Sequence, residues 1–415
     1  MGNYFFLQVF TVIFALSIAT TIFNKRILGF PQAIGVPIVS AIFVFILQWG
    51  ASLLSGNQFI TINIHNIEEA VRHIDFYDFL INGVICFILT SSALKFKVSD
   101  LRSYWKPISI LASIALVLCA VFFGVVLYGY QFIIGQHVDL LVLLLLGAAL
   151  GATDPIGIKG VLSSVRAPHH LMVKLEGESL FNDAMCIALF MTLLNVLQGE
   201  NFTVMGVLQT LLYEIFVAVI IGWAFGLGIL RLLRGKHEME SLILTTALLA
   251  CGSYLVALFA HASAPIACVI GGLIVGNKWK EILQEREIRE VNHFWHTVEG
   301  IINSFLFTLI GLELFILDLS FSLIFGGIVA FIILHASRFA ANYLSFAFFP
   351  SFRKKSYNGS LAILSWGGVR GGISLALILA VANVPELSEY SSILIGYTFI
   401  AVLLSGMVCG LGLPA

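Results

Sequence analysis

Three carboxylates lie close together in the segment LEGESLFNDAMCIALF (175–190), namely Glu176, Glu178 and Asp183. The residues after Asp183 are almost all apolar, so this side chain is too deep in an apolar run to reach water by extending. An unpaired carboxylate in such surroundings costs several kcal/mol. The position therefore indicates either a functional site or, more simply, an Asp that hydrogen-bonds to a neighbouring helix.

The chemistry open to a buried carboxylate is reversible binding of a proton or of a small hard cation, each excluding the other. Such cations prefer oxygen ligands. Ser179 precedes Asp183 by four residues and shares its helix face. Asp154 and Thr153, in the segment GATDP, supply further oxygens if the two segments touch. These four residues are the predicted cation- and proton-binding set.

The surrounding chain has the composition of a membrane protein. Of its 415 residues, 59% are hydrophobic and 11% are charged, and the mean hydropathy is +1.01. An average soluble domain has roughly 25% charged residues. Apolar runs of about 17–25 residues predict about 13 transmembrane helices in an all-α fold. They cover 4–23, 34–54, 79–96, 107–130, 139–165, 179–198, 204–232, 241–260, 263–277, 295–317, 319–349, 357–382 and 391–412.

The charges between these runs predict the orientation. Alternate gaps hold 19 of the 22 basic residues. Cytoplasmic loops carry the excess of Lys and Arg, so the N-terminus is predicted outside and the C-terminus inside. The first run is predicted to be a retained span, and the charged stretch 278–295 a surface helix. We predict no soluble domain, and the net charge of −1 gives no indication of a nucleic-acid partner.

Two spans are interrupted by residues that break helices. Pro155 follows Asp154 within span 5, and pairs of glycines flank Arg370 within span 12. An isolated Pro or Gly produces only a kink, which is the simpler interpretation. Because each break also carries an ionisable residue, we predict two discontinuous, crossing helices in an inverted-repeat secondary transporter. Arg370 would neutralise carbonyl ends there, and Asp154 amide ends.

The remaining charged residues near the spans need partners or solvent. Glu178 lies towards the cytoplasmic end of span 6, and it is predicted either to pair with Arg370 or to be solvated at the interface. Glu176 is predicted to be solvated. Arg338, in span 11, is predicted to extend to the interface or to pair with an acidic residue from a small set. That set comprises Glu214, Glu299 and Glu313.

Three motifs resemble those of the monovalent cation:proton antiporters of the NhaP and NHE type. They are ATDP (152–155), EGESLFND (176–183) and WGGVRG (366–371). Weaker similarity extends over 263–277 and 294–314, so the resemblance covers most of the chain. It implies exchange of Na⁺, or of Li⁺ or K⁺, for H⁺ across the cell membrane, the bacterial inner membrane in a prokaryote. It implies no enzymatic activity and no cofactor.

The resemblance also implies roles for individual residues and parts of the chain. Asp183 is similar to the family's shared carboxylate, assisted by Asp154, Thr153 and Ser179 as ligands of the transported Na⁺. Asn182 resembles the residue that marks electroneutral exchange, and Glu178 with Arg370 resembles a buried structural ion pair. A moving core around 79–198 and 295–382 would work against a scaffold, including 4–54 and 204–277, that mediates homodimerisation.

One segment departs from the family. Many prokaryotic members have an acidic residue in span 3, where this chain reads FILTSSALKFKVSDL (87–101) with Ser91 or a neighbour instead. Cation selectivity is therefore the property that the resemblance predicts least well, and a K⁺/H⁺ antiporter remains an alternative. A cation channel would need a continuous lined pore. An intramembrane enzyme using Asp154 and Asp183 as a dyad is a third possibility.

Overall fold

The computed structural model describes residues 5–30, 32–53, 81, 83–154, 168–199, 203–235, 238–312, 320–348, 360–381 and 384–409. Across these ranges all regular secondary structure is helical, and none of them contains a β-strand. The helical content agrees with the predicted all-α class. It follows from the apolar runs, because a segment in lipid must satisfy its backbone polar groups internally.

Fifteen α-helices are present in the described ranges. In chain order they are α1 (Phe5–Phe23), α2 (Gln32–Leu53), α3 (Ile85–Lys95), α4 (Val98–Ile110), α5 (Leu116–Ile133), α6 (Leu140–Ala149), α7 (His169–Leu197), α8 (Val204–Leu232), α9 (Met239–Phe259), α10 (Ala264–Lys278), α11 (Glu285–Leu312), α12 (Phe321–Phe348), α13 (Ser360–Trp366), α14 (Gly372–Val381) and α15 (Ser391–Leu404). A π-helical turn, Leu111–Ala115, joins α4 to α5.

Seven helical segments of the described chain are long and apolar enough to cross a membrane. They are Thr11–Leu28, Val98–Ile133, His169–Leu197, Met205–Leu232, Met239–Phe259, Phe321–Ala347 and Pro385–Cys409. Large apolar side chains are exposed along several of them, for example Phe216 and Trp223 on α8. Such a surface suits lipid rather than water. The multi-pass membrane class is confirmed, whereas the number of 13 spans and the orientation stay predictions.

The helices end where the sequence places its breakers. Helix α6 ends at Ala149, and residues 152–154 are not helical. Pro155 and the rest of that predicted break lie outside the described residues. Helix α13 ends at Trp366 and α14 begins only at Gly372, so the backbone between them, which contains Arg370, is unwound. Removal of helix at these points leaves backbone carbonyl and amide groups that need other partners.

Helix α6 is largely buried among other helices. It is apolar on all sides, and it packs on α5, α7 and α14. Gly147 allows the close approach to α5, because a Cβ at this position would lie 2.7 Å from the carbonyl oxygen of Ala120. Small residues at helix contacts are the usual means of close packing in membranes.

A second close contact joins α10 to α3. A Cβ added to Gly276 would overlap the backbone of Leu94, so only glycine fits there. Helix α10 also packs on α8 and α9. It therefore connects the helix that contains the span-3 segment to helices of the predicted scaffold.

The stretch 278–295, predicted as a surface helix, is exposed along much of its length but does not form one helix of its own. Helix α10 ends at Lys278, a short 3-10 turn follows, and the charged stretch forms the first turns of α11. The Arg286–Glu290 pair is exposed there, with 2.8 Å between Nε and Oε1. The charges at helical spacing thus belong to a 28-residue helix that continues into the apolar run.

Candidate functional site

The two unwound segments meet and are hydrogen-bonded to one another. The backbone amide of Asp154 donates to the carbonyl of Val369 over 2.7 Å. Helix α7 holds the first segment from the side, since Ser179 Oγ donates to the Thr153 carbonyl over 2.5 Å. Asn182 Nδ2 donates to the Gly151 carbonyl over 2.9 Å. The segment after α6 is therefore fixed by contacts from two other parts of the chain.

Arg370 lies at the carbonyl end of α6. Its Nη1 donates to the carbonyl oxygens of Gly151, at 2.7 Å, and Ala152, at 3.2 Å. These carbonyls lack helical partners because the helix has ended, and the guanidinium also opposes the negative end of the helix dipole. This contact was predicted from the sequence.

Asp154 lies beside the start of α14, at the amide end of that helix. A Cβ placed on Gly371 would be 2.9 Å from the Cβ of Asp154, so the two residues are in direct contact. Gly371 immediately precedes α14, whose first residue is Gly372. Asp154 therefore lies where the positive end of a helix dipole favours a carboxylate.

Asp183 is buried in α7, with 7% of its surface exposed. Its carboxylate lies near the backbone of Thr153 and near Asp154. Oδ1 has no hydrogen-bond partner within the described chain. Nor does any Lys, Arg or His of the described ranges form an ion pair with it. An acceptor oxygen without a partner is unusual in a protein interior, and it leaves room for a proton or a cation.

A cavity of about 370 Å³ extends from Asp183 towards the surface. Its walls include Thr153, Asp154, Ser179 and Asp183, so the structure brings the four predicted ligand residues together. The exposed His296 also lines the cavity. Asp183 therefore lines a cavity that also extends to an exposed side chain.

The predicted Glu178–Arg370 ion pair is wrong. Glu178 instead pairs with Arg338 of α12, with 2.5 Å between Oε1 and Nη2. Both side chains are buried, and Arg338 Nη2 also donates to the carbonyl of Leu364. Arg370 is drawn to the carbonyl end of α6, which leaves Arg338 as the counter-charge of Glu178. The alternative of a solvated Glu178 is also excluded.

A second ion pair, Lys95–Glu299, lines the same cavity. Lys95 Nζ lies 2.5 Å from Glu299 Oε2. Ser91 Oγ donates to the same oxygen over 2.8 Å. Ser91 is thus connected to an acidic residue on α11, although the span-3 segment has no acid of its own. Glu176 also lines the cavity and is half-buried, so it is not simply solvated.

Sequence reasoning missed the roles of Arg338 and Glu299. Arg338 pairs with an acid outside the predicted set, and the sequence predicts no pairing of Glu299 with Lys95. A weak signal existed for Glu299, because it lies in the stretch 294–314 with family resemblance. Of the other two acids in that set, Glu214 is in α8 and does not line the cavity. Glu313 lies outside the described residues.

Comparison with known proteins gives one consistent result. The family described as "Sodium/hydrogen exchanger, transmembrane" matches residues 12–411. The Na⁺/H⁺ antiporter NhaP of Pseudomonas aeruginosa is 34% identical over 407 residues, which cover 96% of this chain and 93% of that protein. The Na⁺/H⁺ antiporter NhaH of Halobacillus dabanensis is 30% identical over 84% of this chain and 85% of its own.

A solved structure has the same fold. The sodium proton antiporter MjNhaP1 from Methanocaldococcus jannaschii superimposes with a TM-score of 0.75 over 98% of this chain and 97% of its own, at 17% identity. These relatives are transporters rather than enzymes. Together with the apolar helices and the family match over nearly the whole sequence, they establish that this chain belongs to the sodium/hydrogen exchanger family of multi-pass membrane proteins.

Proposed function

We propose that this chain is an antiporter that exchanges Na⁺ for H⁺ across the cell membrane, with Asp183 binding the two ions in turn. The observation that carries the proposal is the buried Asp183 carboxylate, which has an oxygen without a hydrogen-bond partner in the described chain and faces a cavity. Asp154, Thr153 and Ser179 line the same cavity and offer the further oxygens that a hard cation prefers.

Exchange proceeds by alternating access of the elevator type. Parts of the chain around 79–198 and 295–382 carry the ion and move against a scaffold that includes 4–54 and 204–277 and forms a homodimer. Support comes from the contact between the two unwound segments, which ties the ion-binding residues into one body. The two crossing helices are discontinuous. The chain crosses the membrane 13 times, with its N-terminus outside the cell and its C-terminus in the cytoplasm.

The exchange is electroneutral, with one Na⁺ moving against one H⁺. Asn182 supports this stoichiometry, because its amide is uncharged and is used to bind the Gly151 carbonyl. Asp183 is then the carboxylate that changes its bound ion. A proton or a Na⁺ neutralises it equally, so each loaded form crosses the membrane with the same charge.

The test is transport by the purified protein in liposomes, read as dequenching of a pH-sensitive dye after addition of Na⁺. Asp183→Asn should abolish the signal, because an amide neither ionises nor takes up a proton. The matched control is Asp139→Asn, since Asp139 is an exposed helix cap and Asn caps equally well. Substantial exchange by Asp183→Asn would overturn the assignment.

The same assay separates the other candidates. Dequenching with K⁺ but not with Na⁺ or Li⁺ would identify a K⁺/H⁺ antiporter. Cation flux without movement of protons would identify a channel. The cavity favours the antiporter, because it ends at a titratable carboxylate rather than at a ring of carbonyl oxygens.

A further inference from the structure

We infer that Glu299 forms a second, transit site for the monovalent cation at the mouth of the cavity, and that the Lys95 ammonium occupies it until the cation displaces it. The inference rests on the proposed function. It adds Glu299 as a binding residue outside the predicted ligand set, and it adds Lys95 as a side chain that competes with the cation for Glu299.

The position of Glu299 supports a binding role. Its side chain is 14% exposed, that of Lys95 is 33% exposed, and both line the cavity that contains Asp183. The cavity wall therefore carries a carboxylate where it approaches solvent and another at its buried end. An ion entering by this route meets Glu299 before it reaches Asp183.

The carboxylate is held in place by its neighbours. Ser91 Oγ donates to Glu299 Oε2 over 2.8 Å, and it also lies 3.2 Å from the carbonyl of Trp295. Ser91 is fully buried, so it fixes the carboxylate from behind without blocking the cavity. Asn303, one turn further along the same face of α11, also lines the cavity.

The charges of the cavity favour a cation. Four carboxylates line it, against one lysine, and the exposed imidazole of His296 lies at its edge. The carboxylates belong to Asp154, Glu176, Asp183 and Glu299. A concave surface lined mostly by one sign of charge concentrates the opposite ion.

Lys95 already shows that a cation fits against Glu299. Its ammonium lies 2.5 Å from Oε2 in a partly exposed ion pair. The lysine end of the pair is 33% exposed, so water screens the charges there and ordering of the aliphatic chain costs entropy, both of which weaken the pair. An incoming Na⁺ can therefore displace the ammonium, which swings into solvent, and the freed lysine can later return to expel the ion. Lys95 thus lowers the affinity of the Glu299 site for Na⁺ and prevents the ion from remaining bound there.

The first experiment measures Na⁺ binding without transport, by the broadening of the ²³Na NMR signal in detergent. In the Asp183→Asn background, the protein should still broaden the signal, and adding Glu299→Gln should remove this broadening. Adding Glu281→Gln instead should leave it unchanged, since Glu281 is exposed near the end of α10. Broadening that persists with Glu299→Gln would overturn the inference.

The second experiment measures the KM for Na⁺ during exchange in liposomes. Lys95→Met should lower KM about two- to fivefold, the range expected from loss of a partly exposed ion pair, and Lys95→Arg should leave it near the wild-type value. Glu299→Gln should raise KM, because the unpaired Lys95 then repels the cation. An unchanged or higher KM in Lys95→Met would overturn the inference.

The two experiments separate this inference from the proposed function. If wild-type protein does not exchange Na⁺ for H⁺, the proposed function fails, while the NMR measurement still tests the Glu299 site. If exchange depends on Asp183 but Na⁺ binding is indifferent to Glu299, only the transit site fails.

Discussion

Glu178 of α7 and Arg338 of α12 form a buried ion pair, with 2.5 Å between Oε1 and Nη2. The pair joins the helix that carries Asp183 to a helix 160 residues later in the chain. A buried pair of this kind contributes little net stability compared with apolar packing, but the loss of one partner leaves an uncompensated charge. We therefore expect the pair to fix the position of α7 rather than to take part in transport.

We expect Glu178→Gln and Arg338→Gln each to lower the free energy of unfolding by about 3–5 kcal/mol, because each leaves the other charge buried alone. Thermal unfolding followed by tryptophan fluorescence measures this. The double variant should be less destabilised than the sum of the two. Arg286→Gln, which breaks an exposed pair in α11, is the control and should have no measurable effect. Equal melting temperatures for all variants would contradict the prediction.

Protons and Na⁺ should compete for Asp183. Below the pKa of the carboxylate, the KM for Na⁺ should rise about tenfold for each unit by which the pH falls. The measurement is the Na⁺ dependence of dye dequenching over a series of pH values, with equal pH on both sides before the gradient is applied. A KM that is independent of pH while the maximal rate changes would point to separate sites for the two ions.

Asn182→Asp should make transport sensitive to voltage. The added carboxylate provides a second titratable group beside Asp183, so that the loaded forms no longer carry equal charge. The substitution also removes the donor to the Gly151 carbonyl, which should cost about 1–3 kcal/mol of stability. The rate of exchange is measured in liposomes with the membrane potential clamped by K⁺ and valinomycin. Equal rates at all potentials would contradict the prediction.

Gly276→Val should impair exchange by separating α10 from α3. A Cβ there overlaps the backbone of Leu94, which cannot move out of the way as a side chain can. Gly129→Val is the matched control, because a Cβ on that helical glycine meets nothing within 4 Å. Exchange rates and melting temperatures are compared for the two variants. A Gly276→Val protein with normal stability and normal exchange would show that this contact is neither tight nor used in transport.

The sequence predicted which residues would line the candidate site because their signals are local. The spacing of Asp183 and Ser179 alone places them on one helix face. The glycine pairs on either side of Arg370 indicated an interrupted helix that carries a positively charged side chain. The membrane class followed from the apolar runs. Each of these features depends on neighbours within a few residues, which the order of amino acids specifies directly.

The ion pairs were harder to predict because they depend on tertiary packing. Glu299 and Lys95 are 204 residues apart, and either could have paired with several other charged residues. From the sequence, Arg370 was the expected counter-charge of Glu178. In the structure its guanidinium instead donates to a carbonyl oxygen at the end of α6. The placement of the helices decides which of the two arginines pairs with Glu178. Residue spacing along the sequence does not specify that placement.

The engagement of Arg370 with the carbonyls of Gly151 and Ala152 has a further consequence for Asp183. It leaves the binding carboxylate with no resident counter-charge among the described residues. Under the proposed function, a vacant carrier holds a bare negative charge, and moving such a charge through a medium of low dielectric constant is costly. We expect the form without a bound ion not to switch its exposure from one side of the bilayer to the other. The carrier then switches only with a proton or Na⁺ bound, and leak of either ion is suppressed.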